Sequence, residues 1–170
     1  MDGKGGVEIG LKRIPENSRL EIDDLFLNEI ALKKKLFQEL LKIISLVRES
    51  SRPVIIGGHG IWWSHNEHAL ASAATKLKIP IFNVPYHTKL LGEDCSAMMG
   101  LADFHQYHPS KDAIHNSDLI LMIGGRLDNQ MNFGNPPLFP KSTKLICING
   151  SHEEIELNRA ADINMLCDPG

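Results

Sequence analysis

The chain has 170 residues, of which 42% are hydrophobic and 23% are charged, as in an ordinary globular protein that is long enough to bury a core. Its formal net charge of −3 at pH 7 gives no electrostatic reason to expect a nucleic acid or an anionic membrane as partner. No apolar run approaches the roughly 20 residues that span a bilayer, and the first residues lack the apolar core of a signal peptide, so we expect a cytoplasmic protein.

The predicted elements begin after a lead-in. Residues 1–28 contain Gly, Pro, Asn and Asp around one strand-like piece at 7–11, and we expect them to be an extended lead-in or linker. From 29 to 50 apolar residues recur at intervals of three and four, which predicts a helix that ends before Pro53. We therefore predict a central domain at 29–170 that begins with this helix.

From residue 53 onward, predicted strands and helices alternate. The strands are continuous apolar runs, which is typical of a parallel sheet covered by helices on both faces, and this predicts a doubly wound α/β fold. We predict strands at 54–57, 80–84, 119–123, 144–148 and 163–166, and helices at 65–77, 109–116 and 153–158.

Three of these strands end in turn-forming residues, and ligands of open parallel sheets bind beyond the carboxyl ends of the strands. Glycine lets a ligand approach the backbone amides closely, and a helix starting near Ser64 would direct its amino end at the same crevice, which favours an anion. The alternative is that the turns only connect strands to helices. The dinucleotide fingerprint G-x-G-x-x-G is absent, which argues against an ordinary Rossmann dehydrogenase. The three turns are Gly57-Gly58-His59-Gly60, Gly124-Gly125-Arg126 and Asn149-Gly150-Ser151.

The stretch from Gly124 to Pro137, "GGRLDNQMNFGNPP", is the most specific. Arg126 follows two glycines at a strand end, where its guanidinium can make a bidentate contact with phosphate. Asp128 could orient that arginine or meet a ribose hydroxyl.

Other chemistry-bearing residues favour neither a catalytic centre nor a metal site. His65 and His68 have a spacing that can bind a metal, but no third ligand accompanies them. Cys95 follows two acidic residues that disfavour a thiolate, and the three cysteines lack a C-x-x-C spacing, so we expect reduced thiols. Of the adjacent Trp62 and Trp63, we expect one in the core and the other at the crevice or at a domain interface.

Three stretches, 53–60, 116–134 and 144–155, resemble the central domain of thiamine-diphosphate-dependent enzymes, the family of acetolactate synthase, oxalyl-CoA decarboxylase and 2-hydroxyacyl-CoA lyase. The lead-in "GGVEIGLKRIP" resembles the segment that joins the family's first and second domains. The motif G-[AG]-R-[LF]-[DN] is quite specific at a strand end. The resemblance implies a three-layer α/β/α fold with about six parallel strands, a Rossmann-like sheet of the DHS-like NAD/FAD-binding type.

The resemblance also implies a function. In this family the central domain is non-catalytic and packs between catalytic domains, and the parent enzyme is a lyase or transferase acting on 2-oxo acids or acyl-CoA derivatives. Thiamine diphosphate and Mg²⁺ are expected only in that parent enzyme, a homo-oligomer. The implied partners are the catalytic domains of the same or a companion chain. We expect this chain to be an excised domain or a split-gene product that is inactive alone.

Some family members hold FAD or ADP at the strand ends, which implies a nucleotide site here. The sequence differs from the family at this nucleotide site in two places. The family's L-G-M-H-G loop is replaced by A-D-F-H-Q at 102–106, and Asn149 stands where the family has an acidic residue after the fifth strand. The implied nucleotide-binding residues are Gly57, Gly58, His59, Gly60, His105, Gly124, Gly125, Arg126, Asp128 and Asn149.

Two alternatives share the fold. One is a free-standing nucleotide-binding or regulatory subunit. The other, a sirtuin-like deacylase, is disfavoured because three unspaced cysteines cannot form its four-cysteine zinc module.

Overall fold

The computed structural model describes residues 16–85, 91, 95–105, 110–155 and 157–168, with side chains from residue 27 onward. The chain divides into two compact units, Met1–Gln38 and Glu39–Gly170. Helix α1 spans Glu16–Glu49, so residues 16–28 are helical and the prediction that they are extended is wrong. No Gly or Pro interrupts residues 16–28, and their Leu, Glu and Arg residues favour helix. The strand-like piece at 7–11 lies outside the described residues.

The second unit contains a six-stranded parallel sheet in the order β3-β2-β1-β4-β5-β6. This confirms the three-layer α/β/α, Rossmann-like fold. The strands are β1 (Pro53–Gly57), β2 (Ile81–Asn83), β3 (Met98–Leu101), β4 (Leu119–Ile123), β5 (Lys144–Asn149) and β6 (Ile163–Leu166). The other helices are α2 (His59–Trp63), α3 (Glu67–Leu77), α4 (Ser110–His115), a 3₁₀ helix (Asn129–Gly134) and α5 (His152–Ile155).

All five predicted strands are present, and three elements were not predicted: strand β3, helix α2 and the 3₁₀ helix. Strand β3 is short, lies at the edge of the sheet and contains Gly100 with a φ of 117°, so it lacks the apolar run that marks the other strands. Helix α2 is only five residues long. The last predicted helix, 153–158, is the shorter α5, and Asn158 has a left-handed φ of 70°. The start of the helix predicted at 109 lies outside the described residues.

The central strands are apolar throughout because both of their faces are buried. Ile56 is paired in register with Phe82 and Met122, and this row belongs to the main core cluster. Ile55, one residue earlier, points to the opposite face, where it is also buried. In the described part of the chain, no helix is both long and apolar enough to cross a membrane.

Candidate functional site

The chain reverses its direction of travel across the sheet between β1 and β4, where it returns from β3 to begin the second half. Such a switch point is where open parallel sheets bind ligands. A cleft of about 340 Å³ lies there, at the carboxyl ends of the strands. Its lining residues are His59, Val84, Pro85, Gly124, Gly125, Arg126, Asp128 and Glu154.

The glycines at this switch point pack two turns of the backbone against each other. A β-carbon on Gly58 would lie 2.3 Å from the α-carbon of Gly125, and one on Gly124 would lie 2.8 Å from the α-carbon of Gly60. Gly124 also has a φ of +63°, which favours glycine. The contact between the turns is therefore itself a reason for glycine at these positions.

Two of the backbone amides that were expected to face a ligand donate hydrogen bonds within the chain. The N–H of Gly58 donates to the Ile123 carbonyl at 2.8 Å, and the N–H of Gly60 donates to the Gly124 carbonyl at 2.8 Å. The helix predicted to start near Ser64 is α3, which begins at Glu67, and the turn leads first into α2, whose five residues are too few for an anion site at a helix terminus. The N–H groups of Gly58 and Gly60 are therefore not available to bind an anion in this arrangement.

Arg126 lies at the cleft with its side chain 56% exposed. One guanidinium nitrogen is 3.5 Å from a carboxylate oxygen of Glu154, and its Nε is 3.9 Å from Oδ2 of Asp128. The other oxygen of Asp128 accepts a hydrogen bond from the N–H of Gln130 at 3.0 Å and so caps the 3₁₀ helix. Of the two roles left open for Asp128, this geometry favours orienting the arginine.

Asn149 is buried and both ends of its amide have partners. Its Nδ2 donates to the Gly125 carbonyl at 3.0 Å and to Oε2 of Glu154 at 3.2 Å, and its Oδ1 accepts from the N–H of Ser151 at 3.0 Å. The side chain that was expected to meet a ribose instead joins the ends of β4 and β5.

The remaining predicted residues lie apart from the cleft lining. Gly57 is buried at the end of β1, and the Nε2 of His105 lies 3.1 Å from the Asn129 carbonyl. Trp62 and Trp63 are 45% and 71% exposed and contact each other edge to face at 4.7 Å. The expectation of one core tryptophan is wrong, because α2 buries Ile61 and leaves the next two residues outside.

The sequence analysis missed Glu154 and the apolar wall formed by Val84 and Pro85. Glu154 had a signal: Ser151 stands three residues before it, the spacing of a capping box. The N–H of Glu154 donates to the Ser151 carbonyl at 3.4 Å, so α5 starts there and directs Glu154 into the cleft.

These residues do not fit the diphosphate of FAD or ADP in the observed arrangement. Two carboxylates, of Asp128 and Glu154, stand beside a single arginine, so the cleft repels anions. The Gly58 and Gly60 amides and the Asn149 side chain, which would have to meet the nucleotide, already bond within the chain. Among the residues described, no cluster of three or more potential metal ligands occurs.

Comparison with known proteins identifies the family of the chain. Residues 40–170 match the family described as "Thiamine pyrophosphate enzyme, central domain". The chain is 31% identical over 106 residues to 2-hydroxyacyl-CoA lyase 1 of Dictyostelium discoideum, which covers 62% of the chain and 17% of that protein. It is 30% identical over 134 residues to 2-hydroxyacyl-CoA lyase of Arabidopsis thaliana, covering 77% of the chain and 22% of that protein.

The chain is 29% identical over 172 aligned residues to the acetolactate synthase large subunit of Lactococcus lactis. This alignment covers 96% of the chain and 29% of that protein. The chain thus spans between 17% and 29% of the length of these three relatives. Because the family match includes the whole six-stranded sheet, the chain belongs to the thiamine pyrophosphate enzyme central-domain family.

Proposed function

We propose that this chain is the non-catalytic central domain of a thiamine-diphosphate-dependent enzyme that acts on 2-oxo acids or acyl-CoA derivatives. The observation that carries the proposal is the family match over 40–170, together with relatives named as lyases and synthases. The cleft supports a non-catalytic role, because its charged and amide side chains bond one another. Thiamine diphosphate and Mg²⁺ would belong to catalytic domains of the parent enzyme, which we propose to be a cytoplasmic homo-oligomer.

The proposed role of the domain is to hold catalytic domains in place. The exposed pair Trp62 and Trp63 supports this role, because aromatic side chains are enriched at the centres of protein interfaces. The two rings brace each other edge to face and so present a rigid apolar surface.

The proposal is tested with the 170-residue chain alone. Calorimetric titration with thiamine diphosphate and Mg²⁺ should show no saturable binding, and the chain should neither cleave 2-hydroxyacyl-CoA nor form acetolactate from pyruvate above background. Saturable cofactor binding or turnover would contradict a non-catalytic domain.

Adenine-nucleotide binding is the second candidate function, and one observation favours it. Arg126 is exposed at a cleft placed where this sheet topology binds ligands. In this candidate Arg126 contacts the diphosphate, and His59 and Gly125 line the site. Titration with ADP and FAD tests it. Tight binding by the unaltered chain would favour the alternative of a free-standing nucleotide-binding or regulatory subunit.

A further inference from the structure

We infer that Glu154 determines the ligand selectivity of the cleft: it engages Arg126 and Asn149, the side chains expected to hold a nucleotide, and so disfavours diphosphate ligands. The inference rests on one part of the second candidate function, the cleft as a ligand site, and differs from it in the ligand, because it expects the unaltered cleft to disfavour a diphosphate.

The two carboxylate oxygens of Glu154 have different partners. Oε1 lies 3.5 Å from the Arg126 guanidinium, and Oε2 accepts a hydrogen bond from Nδ2 of Asn149 at 3.2 Å. The Glu154 side chain therefore interacts with both Arg126 and Asn149. It stands within the cleft lining, beside the guanidinium that a phosphate would contact.

Asn149 holds Glu154 in this position. The amide is fixed by the Gly125 carbonyl on one side and by the N–H of Ser151 on the other, which leaves its second N–H directed at Glu154. A carboxylate at position 149 would have no N–H to donate and would repel Glu154. The neutral amide is thus the residue that lets an acidic side chain remain in the cleft.

The charges on the cleft lining decide which ligands it can take. The two negative charges of Asp128 and Glu154 exceed the single positive charge of Arg126. A diphosphate would therefore be attracted by one cation and repelled by two anions. Arg126 and Glu154 are each more than a third exposed, so their pairing is weak and easily exchanged. The same screening weakens the repulsion between Glu154 and a bound phosphate, but two charges a few ångströms apart still interact near a protein surface. The cleft therefore favours neutral ligands over anionic ones.

The experiment is a calorimetric titration of the 170-residue chain with ADP and with adenosine, which lacks the phosphates. Four proteins are compared: the unaltered chain, Glu154→Gln, Glu153→Gln, and Glu154→Gln combined with Arg126→Ala. Glu153→Gln removes the same charge from the same helix, at a residue that is exposed and outside the cleft lining. Glutamine keeps the size of Glu154 and can still accept from Asn149.

We expect Glu154→Gln to bind ADP about tenfold more tightly than the unaltered chain. Glu153→Gln should leave ADP affinity unchanged, and the added Arg126→Ala should abolish the gain. Adenosine affinity should be the same in all four proteins. Glu154→Ala, with thermal unfolding measured alongside, serves as a second variant should Glu154→Gln prove unstable.

Three outcomes would overturn the inference. An equal gain from Glu153→Gln would show an effect of net charge. ADP binding by the unaltered chain as tight as by Glu154→Gln would establish the nucleotide function while removing Glu154 as its selectivity residue. Absence of ADP binding in every variant would overturn both the inference and the nucleotide candidate, and would leave the central-domain proposal intact.

Discussion

A β-carbon placed on Gly58 would lie only 2.3 Å from the α-carbon of Gly125. The turns after β1 and β4 therefore touch backbone to backbone, and the N–H of Gly58 also donates to the Ile123 carbonyl at 2.8 Å. These contacts hold the two halves of the sheet together at the switch point, beside the cleft.

Gly58→Ala should destabilise the chain by about 3 kcal/mol or more, because the new methyl group meets backbone atoms that cannot move aside. Gly125→Ala should cost less, about 1–2 kcal/mol, because the nearest atom to its β-carbon is the sulfur of Met122 at 2.8 Å, on a flexible side chain. Urea denaturation of the two variants gives the comparison. A Gly58→Ala variant no less stable than Gly125→Ala would contradict this account of the turns.

The same glycines show why the sheet was predictable and the site was not. Continuous apolar runs predict strands buried on both faces, and Ile55 and Ile56 are indeed buried on opposite faces. A glycine required by a neighbouring turn, however, has the same appearance in a sequence as one required by a ligand. The contact between Gly58 and Gly125 joins residues far apart in the chain, so no local pattern reveals it.

Short elements were missed for a related reason. Helix α2 and strand β3 have five and four residues, too few to establish a helical or strand periodicity. Arg126 and Asp128 line the cleft, and their location near the end of a clear strand is what made them candidates in the sequence. The location of Glu154 at the cleft was not predicted, because it depends on the residue at which α5 starts.

Asn149→Asp should destabilise the chain by about 2–3 kcal/mol at pH 7. The Gly125 carbonyl loses its donor, and a carboxylate is placed against that of Glu154. The repulsion requires that both carboxylates are charged, so this loss should shrink as the pH falls and the introduced aspartate is protonated. Urea denaturation as a function of pH measures it.

Adding Glu154→Gln to Asn149→Asp should recover part of the stability, because glutamine supplies an N–H in place of the repelling carboxylate. If the double variant is no more stable than Asn149→Asp alone, the two side chains are not coupled.

Asp118, just before β4, forms hydrogen bonds with residues 50–52, which connect α1 to β1. Its carboxylate accepts hydrogen bonds from the Ser50 hydroxyl, from the N–H of Ser51 at 2.8 Å and from the N–H of Arg52 at 3.0 Å. Burial tends to raise the pKa of Asp118, but these hydrogen bonds together outweigh burial and lower the pKa below its ordinary value of 3.8.

Asp118→Asn should cost about 1 kcal/mol at pH 7, because the amide nitrogen cannot accept one of these hydrogen bonds. Since the folded pKa is lowered, the contribution of Asp118 is fully present above the unfolded carboxyl pKa and is lost as the pH falls through the folded value. The difference from the unaltered chain should therefore be constant from pH 7 to 5 and shrink as the pH falls below the unfolded carboxyl pKa of about 4. Asp112→Asn, at an exposed carboxylate on α4, is the control. A difference that does not depend on pH in this range would contradict the assignment.

Arg159 ties the loop between the 3₁₀ helix and β5 to the segment before β6. Its guanidinium donates to four carbonyls: those of Gly134 at 3.1 Å, Phe139 at 3.4 Å, Pro140 at 3.2 Å and Thr143 at 2.7 Å. Partial burial is the main cause that lowers the pKa of Arg159. No pattern in the sequence indicates this role, because a single arginine outside a motif is typical of a solvent-exposed position.

Arg159→Ala should therefore destabilise the chain by about 2–3 kcal/mol, since it leaves carbonyls without their charged donor. Arg159→Lys should lose roughly half as much, because an ammonium keeps the charge but cannot reach all four acceptors from one point. Arg48→Ala, at an exposed arginine in the last turn of α1, should change the free energy of unfolding by no more than about 0.5 kcal/mol. Urea denaturation ranks the three variants, and hydrogen exchange should show faster opening of residues 134–143 only in the two Arg159 variants. Equal stabilities for Arg159→Ala and Arg48→Ala would show that the loop is held by its other contacts.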